Sequence, residues 1–314
     1  MINFNNTFFA DFHIHSHFSR ATSKNLIPEF LYLWANYKGL SIIGTGDFTH
    51  PQWFNELKEK LEPAEQGLFK LKKEYATKIN NDYNLNPANN IRFILTAEIS
   101  NIYKKNEKVR KIHNLIFAPD FDTVEKIQSS LKKIGNIISD GRPILGLDSK
   151  DLLDIILNIS DKNFLIPAHI WTPWFSLLGS NSGFDSLFEC FEDYSNYIFA
   201  IETGLSSDPP MNWLCSFLDN ISITSNSDAH SPEKLGREAN IFNCDFSFDA
   251  IKNALKFPEK NQFLGTIEFF PEEGKYHFDG HRKCNIVLSP NETNKYNQIC
   301  PKCGKKLTIG VMYR

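Results

Sequence analysis

Successive apolar runs along this chain each end in, or begin with, a residue type that binds metals. Phe8-Phe9-Ala10 is followed by Asp11, His13 and His15, and Leu40 to Ile43 by Asp47 and His50. Ile91 to Leu95 leads to Glu98, and His113 precedes Leu115-Ile116-Phe117. Phe164 to Ile166 leads to His169, and Ile221 to Thr224 leads to Asp228 and His230. Imidazoles mixed with carboxylates suit zinc, manganese or iron better than calcium. Two or three such cations, magnesium included, would activate a water and stabilise both oxygens of a phosphoryl displacement. No Ser-His-Asp arrangement and no Walker-type glycine loop competes with this reading. The expected chemistry is hydrolysis at a multi-metal centre, with Glu98, Asp228 and His230 closest to the reaction.

Side chains two apart on a strand share a face, so His13 with His15, and Asp228 with His230, each present a pair of donors. Glu98 has two carboxylate oxygens and is placed to bridge two cations. Asp47 is the preferred donor of the second run, with His50 as a substitute. Asp11 reads as a group that orients a ligand histidine from behind. His113 or His169 alone would read as a hydrogen-bonded core histidine. Their register with the other sets makes them candidate ligands.

Donors at strand ends need strands that converge, and chemistry at the C-terminal strand ends is the habit of (β/α) barrels. Helical patterns alternate with the strand runs. Asn25, Pro28 and the stop at Gly39 frame a helix with Phe30, Leu31, Trp34 and Tyr37 on one face. Asp122 and Glu125 open another that carries Val124, Ile127, Leu131 and Ile134 to Gly135. Residues 151–158 and 248–255 read as further helices, and 144–147 and 198–201 as further strands. Residues 57–90 read as a helix followed by a polar loop. This alternation favours a parallel sheet closed as a barrel over residues 1–268.

The 314 residues suffice for one large α/β domain and a small module. Net charge is -3, from 34 basic and 37 acidic residues, so there is no global pull toward nucleic acid. Local basic clusters do occur at Lys104-Lys105, Lys108 to Lys111, and Arg282-Lys283. No run approaches the ~20 apolar residues of a membrane span, and the start lacks a secretory pattern. The expected compartment is the cytoplasm, without membrane contact. Cys190, Cys215 and Cys244 read as buried thiols. His281-x-x-Cys284 and Cys300-x-x-Cys303 have the spacing of a structural zinc site within a module at 269–314. His277 is the alternative to His281 as fourth ligand.

The metal motifs resemble the polymerase-and-histidinol-phosphatase (PHP) family. That resemblance implies a distorted (β/α)7 barrel, with His13, His15, Glu98, His113, His169, Asp228 and His230 as ligands. Two positions depart from the family: Ser19-Arg20-Ala21 stands where many members have a further His or Asp, and Asp47-Phe48 where many have Asp-His. Longer stretches resemble the endonuclease Q family. They are Phe18-Ser-Arg-Ala-Thr-Ser, Gly44-Thr-Gly-Asp-Phe-Thr-His-Pro and Pro167-Ala-His-Ile-Trp-Thr-Pro-Trp-Phe. Glu202-Thr-Gly-Leu-Ser-Ser-Asp-Pro-Pro-Met-Asn-Trp, Ser225-Asn-Ser-Asp-Ala-His-Ser and the stretch from Gly265 to His277 extend the match.

This closer resemblance implies a DNA repair endonuclease. Such an enzyme nicks 5′ of deaminated bases (hypoxanthine, uracil, xanthine) and of abasic sites, in double- or single-stranded DNA. A flipped base needs aromatic faces and polar edges; Trp171, Trp174, Ser207 and Asn212 are the candidates, with Arg20 for phosphate or plain surface. Relatives continue past Arg314 with a helical segment, where sliding-clamp binding is expected. A PHP-type small-molecule phosphatase and a catalytically impaired DNA-binding accessory protein are the competing expectations.

Overall fold

The computed structural model describes residues 7–86 and 90–314. In chain order, β1 (Thr7–Asp11), α1 (Pro28–Lys38), β2 (Ile42–Gly44) and α2 (Pro51–Lys60) lead to the hairpin β3 (Leu61–Pro63) and β4 (Phe69–Leu71). Then come α3 (Lys73–Asp82), β5 (Arg92–Lys105), β6 (Lys108–Ala118), α4 (Phe121–Leu131), β7 (Ile144–Leu145), α5 (Ser149–Ile159) and β8 (Phe164–Pro167). The series continues with α6 (Leu187–Phe191), β9 (Ala200–Glu202), α7 (Pro209–Asn212), β10 (Ser222–Thr224), β11 (Ala239–Asn243), α8 (Phe248–Lys256) and β12 (Phe263–Ile267). A small end piece adds β13 (Asp279–His281), β14 (Ile286–Leu288) and α9 (Pro290–Lys295).

β1, β2 and β5 pair in parallel, as the strand-helix alternation predicts. β6 does not. It runs antiparallel to both β5 and β8. The cause is local: Asn106 and Glu107 both take positive φ, 52° and 59°, the conformation of a tight hairpin turn. His113 therefore comes from within a returning strand, which explains why it precedes its apolar run.

No closed sheet forms among the described residues. β9 and β10 pair only with each other. Beyond the strand ends the gaps are bridged briefly: Ile170 N–H donates to Glu202 O (3.0 Å), and Ala229 accepts from His15 N–H (3.2 Å) and donates to His13 O (3.4 Å). β11 and β12 extend the sheet antiparallel on the outer side of β1.

Helix packing departs from the sequence reading in detail. α1 starts after Ile27, which gives no side-chain cap, and ends at Gly39 with φ 71°. It buries Leu31, Leu33 and Ala35, while Tyr37 is exposed. α4 is capped by Asp120, whose carboxylate accepts from Thr123 N–H. It buries Val124, Ile127 and Leu131, but Ile134 lies outside it. Within 57–90 a hairpin separates two helices, a pairing hidden by its charged residues; 87–89 lie outside the described residues. Cys190 and Cys244 are buried and Cys215 is half-buried. No helix among the described residues is long and apolar enough to cross a membrane.

Candidate metal centre

Two sets of donors meet at one carboxylate: His13, His15, His169 and Asp228 follow the ends of β1, β8 and β10, whereas Glu98 and His113 lie within β5 and β6. His13, His15 and Asp228 each bring a donor atom within 4.8 Å of the others, and so do Glu98, His113 and His169. Glu98 joins the sets. Its Oε1 lies 2.6 Å from His113 Nδ1 and 3.2 Å from His169 Nε2. Its Oε2 lies 3.5 Å from His13 Nε2 and 3.4 Å from His15 Nε2. His15 Nε2 is also 3.0 Å from Asp228 Oδ1.

The donor set fits divalent cations on an observation of its own. His13 Nε2 is buried and has no hydrogen-bond partner, although buried polar atoms are nearly always satisfied. It points into a space ringed by Glu98 and Asp228. An imidazole nitrogen aimed among carboxylates without a hydrogen bond is free to ligate a cation.

The far nitrogens of these rings are fixed by other groups. Glu202 holds His13 Nδ1 with both oxygens, at 3.1 and 3.0 Å. It also accepts from Asn226 Nδ2 and from His169 N–H. Asp47 Oδ1 lies 3.2 Å from His15 Nδ1, while its Oδ2 accepts from Ser16 N–H, Ser16 Oγ and Ser19 Oγ. Ser176 Oγ lies 3.1 Å from His169 Nδ1. Carboxylates behind ligand histidines fix the tautomer and aim the lone pair at the metal. Glu202→Gln is expected to weaken Mn²⁺ affinity about 10- to 100-fold, read by calorimetric titration, with the fold retained.

Asp47, His169 and Asp228 all have positive φ (47°, 30° and 47°), a strained arrangement for these residue types that gathers at functional sites. Gly204 enables one of them. A Cβ there would lie 2.4 Å from His169 Cβ, so only glycine lets the 203–206 turn pass this histidine.

The charges are strongly coupled. Burial would push Glu98 up, but His113 and Arg142 beside it hold it well below the usual carboxylate range. Burial depresses His15, yet hydrogen bonds to Asp228 and Asp47 lift it to about 9. His113 is pushed down to about 4 by burial despite Glu98. Protons on some of these imidazoles balance the carboxylates, so cation binding must release them and tightens as pH rises.

Behind Glu202 lies a second carboxylate layer. Ser225 Oγ–H donates to Glu238, which is buried. Burial raises the Glu238 carboxyl to about 9 and Glu268 to about 7. Both values exceed the ordinary 4.5. Each acid is thus neutral in the folded state where the unfolded chain has ionised. Their contribution is complete below pH 4.5 and is lost as pH rises toward about 9. Glu238→Gln should therefore melt higher than wild type at pH 8 and show a flatter fall between pH 5 and 9. The difference at pH 8 is on the order of a few kcal/mol.

Several sequence candidates land elsewhere. Asp47 stands behind His15 rather than between the donor sets, so it takes the orienting place. His50 is outside the cluster, with both nitrogens occupied. Nδ1 accepts from Trp53 N–H as the cap of α2, and Nε2 donates to Ile138 O at 2.8 Å. Asp11 does not orient a histidine; it accepts from Ser227 and Gly236 N–H and pins both sides of the loop that carries Asp228. His230 packs edge-on against His15 with ring centroids 4.6 Å apart. Its Nδ1 is engaged by Asp228 O, and its Nε2 is the nitrogen left over.

Ser207 and Asn212 are buried, not presented to a ligand. Ser207 Oγ donates to Thr203 O, while Asn212 accepts from Trp171 Nε1 at 2.8 Å and donates to Asp208 O. Trp171 is thereby fixed half-buried under the rim, whereas Trp174 is exposed and packs edge-on to Tyr276. Arg20 is exposed and pairs with Asp140 at 3.3 Å. The sequence reading missed Glu202, which ends a strand run as the other donors do, and Arg142, which carries no motif.

His281, Cys284, Cys300 and Cys303 form a third set of donors within 4.8 Å. His277 instead bonds Ser206 O through Nδ1 and is buried. Burial raises the Cys300 thiol, but the Lys302 and Cys303 N–H groups outweigh it and hold it at about 6, favouring the thiolate that zinc needs.

No family model matches the chain. The lesion-specific endonuclease Q of Pyrococcus furiosus superposes with a TM-score of 0.80 at 31% identity, over 98% of this chain and 70% of that one. An endonuclease Q complex with a 27-mer duplex carrying an abasic lesion at the active site gives a TM-score of 0.80 at 31% identity, over 98% and 71%. An uncharacterized protein of Bacillus subtilis is 32% identical over 212 residues, 65% of this chain and 50% of that protein. The chain spans half or less of the length of the curated relatives it matches. It belongs to the endonuclease Q family.

Proposed function

We propose that this protein is a metal-dependent DNA repair endonuclease that hydrolyses the phosphodiester 5′ to a deaminated base or an abasic site. The observation that carries the reading is Glu98, one buried carboxylate shared by two sets of histidine and carboxylate donors. His13, His15, Glu98 and Asp228 would hold one divalent cation, and Glu98, His113 and His169 a second, with zinc, manganese, magnesium and iron the candidates. When bound, such a pair supplies an activated water and charge stabilisation for both oxygens of the displacement. Glu202 and Asp47 aim the rings that face the cations. His230, half-exposed at the edge of the set, is the donor left for a third cation.

The seven strands β1, β2, β5, β6, β8, β9 and β10 would form the distorted barrel of the PHP type, opened where the β9–β10 pair has no ladder to β8 or β1. Residues 1–268 would be its extent, and 269–314 the zinc module. Between module and rim lies a cleft of about 560 Å³ lined by Trp174, Tyr276, Phe278, Asp279, Arg282 and Val287. It combines ring faces with polar edges, as a flipped nucleobase requires. Lys104, Lys108 and Lys111 on the β5–β6 hairpin and the lysines of the module would contact backbone phosphates, which position DNA without reading it.

The test is a labelled duplex with one deoxyinosine, incubated with protein and Mn²⁺ beside an undamaged duplex and a phosphomonoester. A nick immediately 5′ of the deoxyinosine is expected. Phosphomonoester turnover without nicking would replace this reading with a small-molecule phosphatase.

A further inference from the structure

Arg142 reaches the centre from a loop that no sequence motif marked. Its Nη1 donates to Glu98 Oε2 at 3.0 Å, and a quarter of its side chain still faces solvent. Among the described residues no other nitrogen of its guanidinium bonds to the protein. The loop that delivers it is seated on the 47–50 motif. His50 Nε2 donates to Ile138 O at 2.8 Å, and Gly141 N–H donates to Phe18 O at 3.0 Å. Gly141 lies so close that a Cβ would stand 2.3 Å from Asp47 Oδ2. Asp140 accepts from the N–H groups of Arg142 and Arg20 and pairs with Arg20 Nε.

We infer that Arg142 is a phosphate-binding residue of the proposed reaction, and that His50 is the positioning residue that seats its loop. Glu98 Oε2 is the oxygen that faces His13 and His15 as well as Arg142. In a cation-loaded centre that oxygen would serve the cation, and the guanidinium fork would be left for an anion. Arginine matches phosphate with two parallel N–H bonds, a geometry lysine cannot copy. A phosphodiester entering between Glu98 and Asp228 needs such a fixed positive group beside the cations. This assignment also gives the Asp47-to-His50 segment a role as a platform.

The inference rests on the endonuclease reading but is tested without nicking. Mn²⁺ content of the loaded protein and calorimetric binding of inorganic phosphate to it are measured for wild type, Arg142→Gln, Arg142→Lys and His50→Ala. Arg142→Gln is expected to keep wild-type Mn²⁺ and to bind phosphate at least about 10-fold more weakly, with Arg142→Lys between the two. His50→Ala should shift phosphate the same way, keep its Mn²⁺, and add nothing in the double variant. Unchanged phosphate affinity in Arg142→Gln, no phosphate binding by wild type, or loss of Mn²⁺ with the arginine would each overturn it; the last would make Arg142 a brace for Glu98 alone. An effect of His50→Ala that adds in the double variant would overturn its positioning role. If phosphate behaves as expected but the deoxyinosine duplex stays intact, the endonuclease reading fails and the phosphate site stands.

Discussion

Glu98→Gln is expected to lower the rate of nicking at deoxyinosine by at least about 1,000-fold, roughly 4 kcal/mol of barrier. The substitution keeps the side-chain volume and removes one charge. Four imidazoles and a guanidinium face that charge, so no neighbouring carboxylate can replace it in both donor sets. Asp228 reaches only the His13 and His15 set. Glu98→Gln should accordingly lose both bound cations, whereas Asp228→Ala should abolish nicking while one cation remains at His113 and His169. Folding should persist in both, because the core beneath the site is apolar and continuous through Ile14, Ile43, Leu95, Ile99 and Ile116. The checks are single-turnover nicking, metal content by mass spectrometry and thermal melting. A Glu98→Gln protein that keeps both cations would contradict the shared carboxylate.

Loss of the zinc proposed for the C-terminal piece is expected to be the second large effect. Two three-residue strands and one six-residue helix make up its regular structure, and Val287, Tyr296 and Ile299 remain exposed. So small a core does not fold without a staple. The four donors His281, Cys284, Cys300 and Cys303 supply one. Structural zinc contributes apparent binding free energies of about 10–16 kcal/mol in zinc-finger peptides. Cys300→Ala, or a strong chelator, should unfold the 279–309 segment and leave the large domain melting as before. Limited proteolysis would then cut within this segment. Tyr276 and the cleft beside Trp174 would lose one wall. DNA affinity should fall with a shallower salt dependence, since Arg282, Lys283, Lys302, Lys305 and Lys306 no longer sit on a folded surface. Protection of the segment from protease in the metal-free protein would contradict a structural zinc.

The donors were legible because chemistry dictates their types. Histidine and carboxylate at the ends of apolar runs identify His13, His15, Glu98, His113, His169 and Asp228 before any fold is known, and these six stand together. Periodicity also located α1, α4, α5 and α8 to within a few residues, but not α2, α3 and the hairpin between them. Direction was not legible. The return of β6 depends on two positive-φ residues, Asn106 and Glu107, and glutamate gives no turn signal. Nor could spacing separate a residue that faces the cluster from one that stands behind it. Asp47 and His50 follow an apolar run as the ligands do, yet one orients His15 and the other caps α2. Ser207 and Asn212 read as polar edges for a base, but their short side chains close the turns that hold Trp171. Arg142 was invisible because its place depends on a loop packed on residues roughly a hundred positions earlier.

Manganese anomalous scattering from crystals of the Mn²⁺-loaded protein tests the central claim most directly. The account predicts two peaks that share Glu98, one among His13, His15 and Asp228, the other against His113 and His169. No peak at Glu98 under saturating Mn²⁺, or a peak at Asp47 and His50 instead, would contradict it.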